Sequence, residues 1–150
     1  MTLDKCQHSI GFIGLGIMGN SMAGHILSAG WPIHVYNRTK AKADDQVGRG
    51  AVWMDTPGEV ASQSDVIITM LGYPHDVEEV YLGQGGLVKR ARDGAYLIDM
   101  TTSSPSLAQK IADAASARGL RALDAPVSGG DVGAREAKLA IMMGGGEEDF

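Results

Sequence analysis

Three glycines give the pattern G-x-G-x-x-G over Gly14-Leu15-Gly16-Ile17-Met18-Gly19. The chemistry served by this spacing is the binding of a pyrophosphate. Gly14 permits a sharp strand-to-helix turn. Gly16 has no Cβ, so a phosphate can approach the backbone, and Gly19 lets a helix pack closely on a sheet. The phosphates would sit at a helix N-terminus, where N–H groups and the dipole favour negative charge. The flanks give the string its meaning. Ile10, Phe12 and Ile13 form a short apolar run before it, and Met18, Met22, Ile26 and Leu27 recur at helical spacing until Gly30. A second strand over residues 31–36 then closes a β-α-β unit of about 30 residues.

The end of that second strand carries the next informative group, Asn37-Arg38-Thr39. An NAD site commonly has an acid here, which binds the ribose hydroxyls and repels a 2′-phosphate. Asn37 is uncharged, Arg38 can fork onto a phosphate, and Thr39 adds a hydroxyl. The combination points to NADP over NAD. The plainer reading makes Asn37 and Thr39 caps of the next helix and leaves Arg38 in solvent. Further on, Thr101-Thr102-Ser103-Ser104 follows a strand and Ser128-Gly129-Gly130 follows another. Such hydroxyls either cap helices or hydrogen-bond a nicotinamide or a carboxylate. His25, His75, Lys110 and Lys138 are expected in packing or surface roles, and Cys6 is expected to be a bystander.

These residues need a scaffold, and the chain supplies one in regular alternation. A polar helix is expected over 40–47 and a strand over 51–54. Thr56-Pro57-Gly58-Glu59 has capping-box spacing with proline at the first helical position. The run over 66–71 reads as a central strand covered on both faces, with Met70 and Leu71 bordering a ligand crevice. A helix over 75–82 would place Asp76 near its positive end. A strand over 96–99 precedes a helix from Pro105 to about residue 117, capped by Ser104. Strands are expected over 121–125 and 139–143, and the acidic Glu147-Glu148-Asp149 looks like a first helical turn. The alternation specifies one α/β domain over residues 1–150, a doubly wound Rossmann-type sheet, mostly parallel, with helices on both faces.

Composition narrows the class. The 150 residues carry a net charge of −5, which argues against a nucleic-acid partner. The single cysteine forms no internal disulfide, and no apolar run reaches the length of a membrane span, so a cytoplasmic setting is expected. Residues 1–8 are polar and expected to be loose.

Taken together, Ile10 to Gly19, Asn37-Arg38-Thr39, Met70-Leu71, Asp99-Met100-Thr101-Thr102 and Asp124-Ala125-Pro126-Val127-Ser128-Gly129-Gly130 resemble, in order, the β-hydroxyacid dehydrogenase family. That family includes 3-hydroxyisobutyrate dehydrogenase, semialdehyde reductases and 6-phosphogluconate dehydrogenase. The resemblance implies an N-terminal cofactor domain, for which the reading of Asn37-Arg38-Thr39 gives NADP as the preferred cofactor and NAD as the alternative. It implies that Gly14, Leu15, Gly16, Ile17, Met18 and Gly19 hold the pyrophosphate, and Asn37, Arg38 and Thr39 the adenosine end. Met70, Leu71 and Asp76 would line the cofactor, and Thr102 would approach the nicotinamide ribose. Ser128, Gly129 and Gly130 would bind a small carboxylate substrate. The family's catalytic lysine belongs to a helical domain with no match here, so a truncated, inactive fragment of a homo-oligomeric enzyme is expected. Gly72 stands where many members have proline, and Thr101 where serine is usual. A free-standing, non-catalytic dinucleotide sensor or interaction module is the alternative.

Overall fold

The computed structural model describes residues 2–150. Met1, part of the segment expected to be loose, lies outside the described residues. Strand β1 (Ile10–Ile13) is buried along its whole length and leads through the glycine loop into helix α1 (Ile17–Ser28). It pairs in parallel with both β2 (Ile33–Tyr36) and β4 (Val66–Thr69). With β3 (Val52–Trp53), β5 (Tyr96–Asp99) and β6 (Arg121–Asp124) these form a six-stranded sheet in the order β3-β2-β1-β4-β5-β6. Every pairing in it is parallel. The order reverses direction at β1, which makes the β1–β4 edge the topological switch point.

Period-two alternation sends neighbouring residues of one strand to opposite faces. Phe12 and Val35 pack with Met22, Ala23 and Ala134 on one face. Ile13, Ile67 and Leu97 pack with Val77, Tyr81, Leu87 and Ile111 on the other. The first face is covered by α1 and α7 (Gly130–Arg135). The second is covered by α3 (Pro57–Gln63), α4 (Pro74–Leu82), α5 (Leu87–Arg90) and α6 (Pro105–Ala117). The methionine stripe of α1 is core, with Met22 buried and Met18 packed against it. His25 anchors α1 to α7 through Nε2 and the Ala134 carbonyl, 2.8 Å apart.

Helix starts follow local chemistry. Ser104 Oγ accepts the Leu107 N–H at 3.2 Å, and Pro105 opens α6 as expected. Thr56 Oγ1 accepts the Glu59 N–H at 3.1 Å. The Glu59 carboxylate, however, takes the Asp55 N–H at 2.8 Å, one residue ahead of the reciprocal partner of a capping box.

Several elements differ from expectation. The helix over 40–47 is a 3₁₀ turn, Lys40–Ala43, followed by α2 (Asp44–Gly48). Buried Gln46 donates to the carbonyl and side-chain oxygens of Asn20 at 3.0 and 2.8 Å, tying α2 to α1. Helix α5 is too short for periodicity to show. Ser128 ends a short strand, β7 (Val127–Ser128), and Gly130 begins α7, so these residues are not simply loop. The strand over 139–143 reduces to β8 (Ala140–Ile141), antiparallel to β7 and outside the main sheet. The acidic turn at the end is 3₁₀, Glu147–Asp149.

Candidate cofactor site

A crevice of about 1030 Å³ opens beyond the carboxyl ends of β1, β2 and β4. Its floor is the glycine loop. Gly14 has φ +97°, and a Cβ there would lie 2.1 Å from the Met70 carbonyl oxygen. A Cβ on Gly19 would lie 1.9 Å from the carbonyl oxygen of Gly14. Both positions therefore require glycine through close backbone approach. Gly16 is the opposite case, with no atom within 4 Å of the Cβ position. It caps α1 without a side-chain bond, and no acid stands in the first turn. Open space in front of an uncapped helix N-terminus fits a phosphate.

Asn37 holds the loop in shape. Its Oδ1 accepts the Leu15 N–H at 2.8 Å, and its Nδ2 donates to the Thr39 carbonyl at 2.9 Å. The side chain therefore bridges the glycine turn and the turn after β2. Thr39 precedes the 3₁₀ turn but makes no side-chain cap, so the plain capping reading fails for both residues. Arg38 is 84% exposed along its side chain and reaches Asp76, on the first turn of α4, at 3.5 Å.

The wall at Met70 and Leu71 is fixed from behind. Tyr81 Oη donates to Thr69 Oγ1 at 2.8 Å, and Thr69 Oγ1 donates to Asp99 Oδ1 at 2.8 Å. The same Asp99 oxygen accepts the Thr101 N–H at 3.1 Å, and Thr101 Oγ1 accepts the Leu71 N–H at 2.8 Å. Burial pushes the Asp99 carboxyl above its ordinary range, against the hydrogen bonds from Thr101 and Thr69, which lower it. Burial likewise raises the Tyr81 phenol. Behind this network lies a smaller cavity of about 240 Å³, bordered by Asp99, Asp124 and α6.

Of the residues singled out from the sequence, the crevice lining unites Gly14, Gly16, Ile17, Met18, Gly19, Asn37, Arg38, Thr39, Met70, Leu71 and Asp76. Ile17 is 78% exposed there, although apolar. Leu15 is buried in the core beneath the loop. Exposed Thr102, Ser128, Gly129 and Gly130 lie outside the lining. Lys110 and Lys138 are on the surface, paired with Glu78 and Glu136. Exposed His75 stacks on Tyr73. Sequence reasoning missed Lys42, the Thr56–Glu59 turn, Glu79, Gln84 to Gly86 and Arg90, which also line the crevice. The rule that ligands gather beyond strand carboxyl ends, applied to β3 as it was to β1, β2 and β4, points to the Thr56–Glu59 turn.

Residues 9–150 match the NAD binding domain of 6-phosphogluconate dehydrogenase. The chain belongs to the 3-hydroxyisobutyrate dehydrogenase/6-phosphogluconate dehydrogenase-like family. It is 61% identical over 96% of its length to an uncharacterized oxidoreductase, YkwC, of Bacillus subtilis, covering 50% of that protein. Among solved structures, 3-hydroxyisobutyrate dehydrogenase of Mycobacterium tuberculosis with L-serine superposes with a TM-score of 0.88 at 33% identity, over 95% of this chain and 48% of that one. Psf3 in complex with NADP+ and 2-OPP gives a TM-score of 0.88 at 31% identity, over 93% and 49%. The chain thus spans about half the length of these relatives. Within the family it is an NAD(P)-binding domain of Rossmann type, and among its described residues no helix is long and apolar enough to cross a membrane.

Proposed function

We propose that this chain is the cofactor-binding part of an NADP-preferring oxidoreductase acting on a small hydroxy acid or semialdehyde. The observation that carries the reading is the exposed Arg38 at the carboxyl end of β2, where no acid stands, on the same crevice as the glycine loop. The bound cofactor supplies a hydride donor or acceptor at nicotinamide C4. The glycine loop holds the pyrophosphate at the start of α1, and Arg38 and Thr39 take the 2′-phosphate. The Asp99–Thr101 network keeps Met70 and Leu71 in place as the wall against which the cofactor lies.

In this reading Thr102 approaches the nicotinamide ribose, and Ser128, Gly129 and Gly130 take the substrate carboxylate. The proton-transfer lysine belongs to the part of the parent protein corresponding to the relatives' other half. Two observations support that assignment. The relatives are about twice as long as this chain, and Lys110 and Lys138 are occupied in surface ion pairs. We assign homo-oligomer contacts to the same part and a cytoplasmic setting to the whole, the latter on the lone, exposed Cys6.

Calorimetric titration of this chain with NADPH and NADH at fixed ionic strength tests the cofactor reading. NADPH should bind more tightly, and Arg38→Ala should weaken NADPH roughly tenfold or more while moving NADH less than about twofold. Equal weakening of both nucleotides would refute the role given to Arg38.

A further inference from the structure

The charges lining the crevice are balanced in number, with Arg38, Lys42 and Arg90 facing Glu59, Asp76 and Glu79. They are not equivalent in engagement. Glu59 is occupied by the Asp55 N–H at 2.8 Å. Asp76 is only 14% exposed along its side chain, and its ion-pair partners among the described residues are Arg38 at 3.5 Å and His75 at 3.4 Å. The Asp76 carboxylate is thus a sheltered negative charge on α4, while Arg38 reaches it from the turn after β2 on an otherwise exposed side chain. A phosphate adds about −1.5 to −2 charges and seeks the same guanidinium. Any phosphate taken by Arg38 therefore meets a carboxylate already drawing on that cation.

We infer that Asp76 is a specificity-determining residue, which competes for Arg38 and lowers the chain's preference for a dinucleotide carrying a 2′-phosphate. The inference rests on the cofactor reading above. Asp76 makes no side-chain cap on α4, whose N-cap is Tyr73, so Asp76→Asn removes the charge and keeps the shape. The helix loses only a favourable charge in its first turn.

The test is calorimetric titration of the unaltered chain, Asp76→Asn, Arg38→Ala and the double variant with NADP+ and NAD+, with circular dichroism confirming that each is folded. Asp76→Asn should tighten NADP+ roughly three- to tenfold and change NAD+ less than about twofold. In the Arg38→Ala background the gain should shrink below about twofold, because the competition has no object there. An NADP+/NAD+ ratio that stays fixed or falls on Asp76→Asn overturns the inference. So does a gain that persists undiminished without Arg38. If the unaltered chain binds neither nucleotide, the cofactor reading falls and this inference with it. If it binds but Asp76→Asn leaves the ratio unmoved, only this inference falls.

Discussion

Two glycine-rich loops leave the carboxyl side of this fold; both use left-handed backbone, but backbone presses onto the glycines of only one. In the loop after β1, Gly14 and Gly19 sit against backbone, with a Cβ position 2.1 Å from Met70 O in one case and 1.9 Å from Gly14 O in the other. Where β7 leads into α7, a Cβ on Gly129 (φ +134°) would meet the Leu139 side chain at 3.2 Å, and one on Gly130 (φ +63°) would meet nothing within 4 Å. One loop is specified by the backbone packed onto it as well as by the φ of +97° at Gly14. The other is specified by the turn that it makes. A packed loop has one shape to offer a ligand, which suits a site that must fit a fixed group such as a pyrophosphate.

Substitutions with alanine break or sharpen this contrast. Gly19→Ala should have the largest effect, about 3 kcal/mol of lost stability from backbone overlap. A urea unfolding midpoint unchanged from that of the parent would show that the packing is looser than the distances say. Gly16→Ala should keep the fold to within about 1 kcal/mol, since its backbone is extended and its Cβ position empty. It should nevertheless weaken NADPH at least tenfold, because the new methyl occupies the space through which the phosphate approaches the helix end. Titration showing undiminished binding would remove the pyrophosphate from that position. Gly130→Ala should be mildest, costing about 1 kcal/mol for the left-handed backbone and leaving nucleotide affinity within about twofold. A loss of NADPH binding there would join the two loops into one site and end the contrast.

The sequence was most informative where one residue type has a single physical use. The β1–α1 unit was readable because burial of Ile10, Phe12 and Ile13, the glycine spacing and the helical stripe all agree. Ser104-Pro105 announced α6 for the same reason. Asn37 lines the crevice, but its hold on the glycine loop was not legible, since the hydrogen bond from the Leu15 N–H joins residues 22 apart and has no local signature. The crevice lining from Gln84 to Gly86 was hidden in the same way. Gly58 needs glycine because its Cβ would come within 2.6 Å of the Gly85 carbonyl oxygen, a contact that only the folded chain creates. Strand β7 escaped because a two-residue strand has no period to detect, whereas β8 was expected but as part of a longer strand over 139–143.

The position of β1 in the sheet has a consequence for the order in which the molecule can come together. Its register partners are Ile33 to Tyr36 on one side and Val66 to Thr69 on the other. The Met70 N–H bonds the Ile13 carbonyl at 2.9 Å, and the Met70 carbonyl closes over Gly14. During synthesis, the fingerprint is therefore complete at residue 19, whereas the surface that gives it meaning waits for the fourth strand. All of these pairings are parallel crossovers, so no hairpin can assemble the loop early, and closing the intervening chain must come first. A nascent chain that has reached Tyr36 carries the whole β-α-β motif and still has no wall for a ligand to rest against.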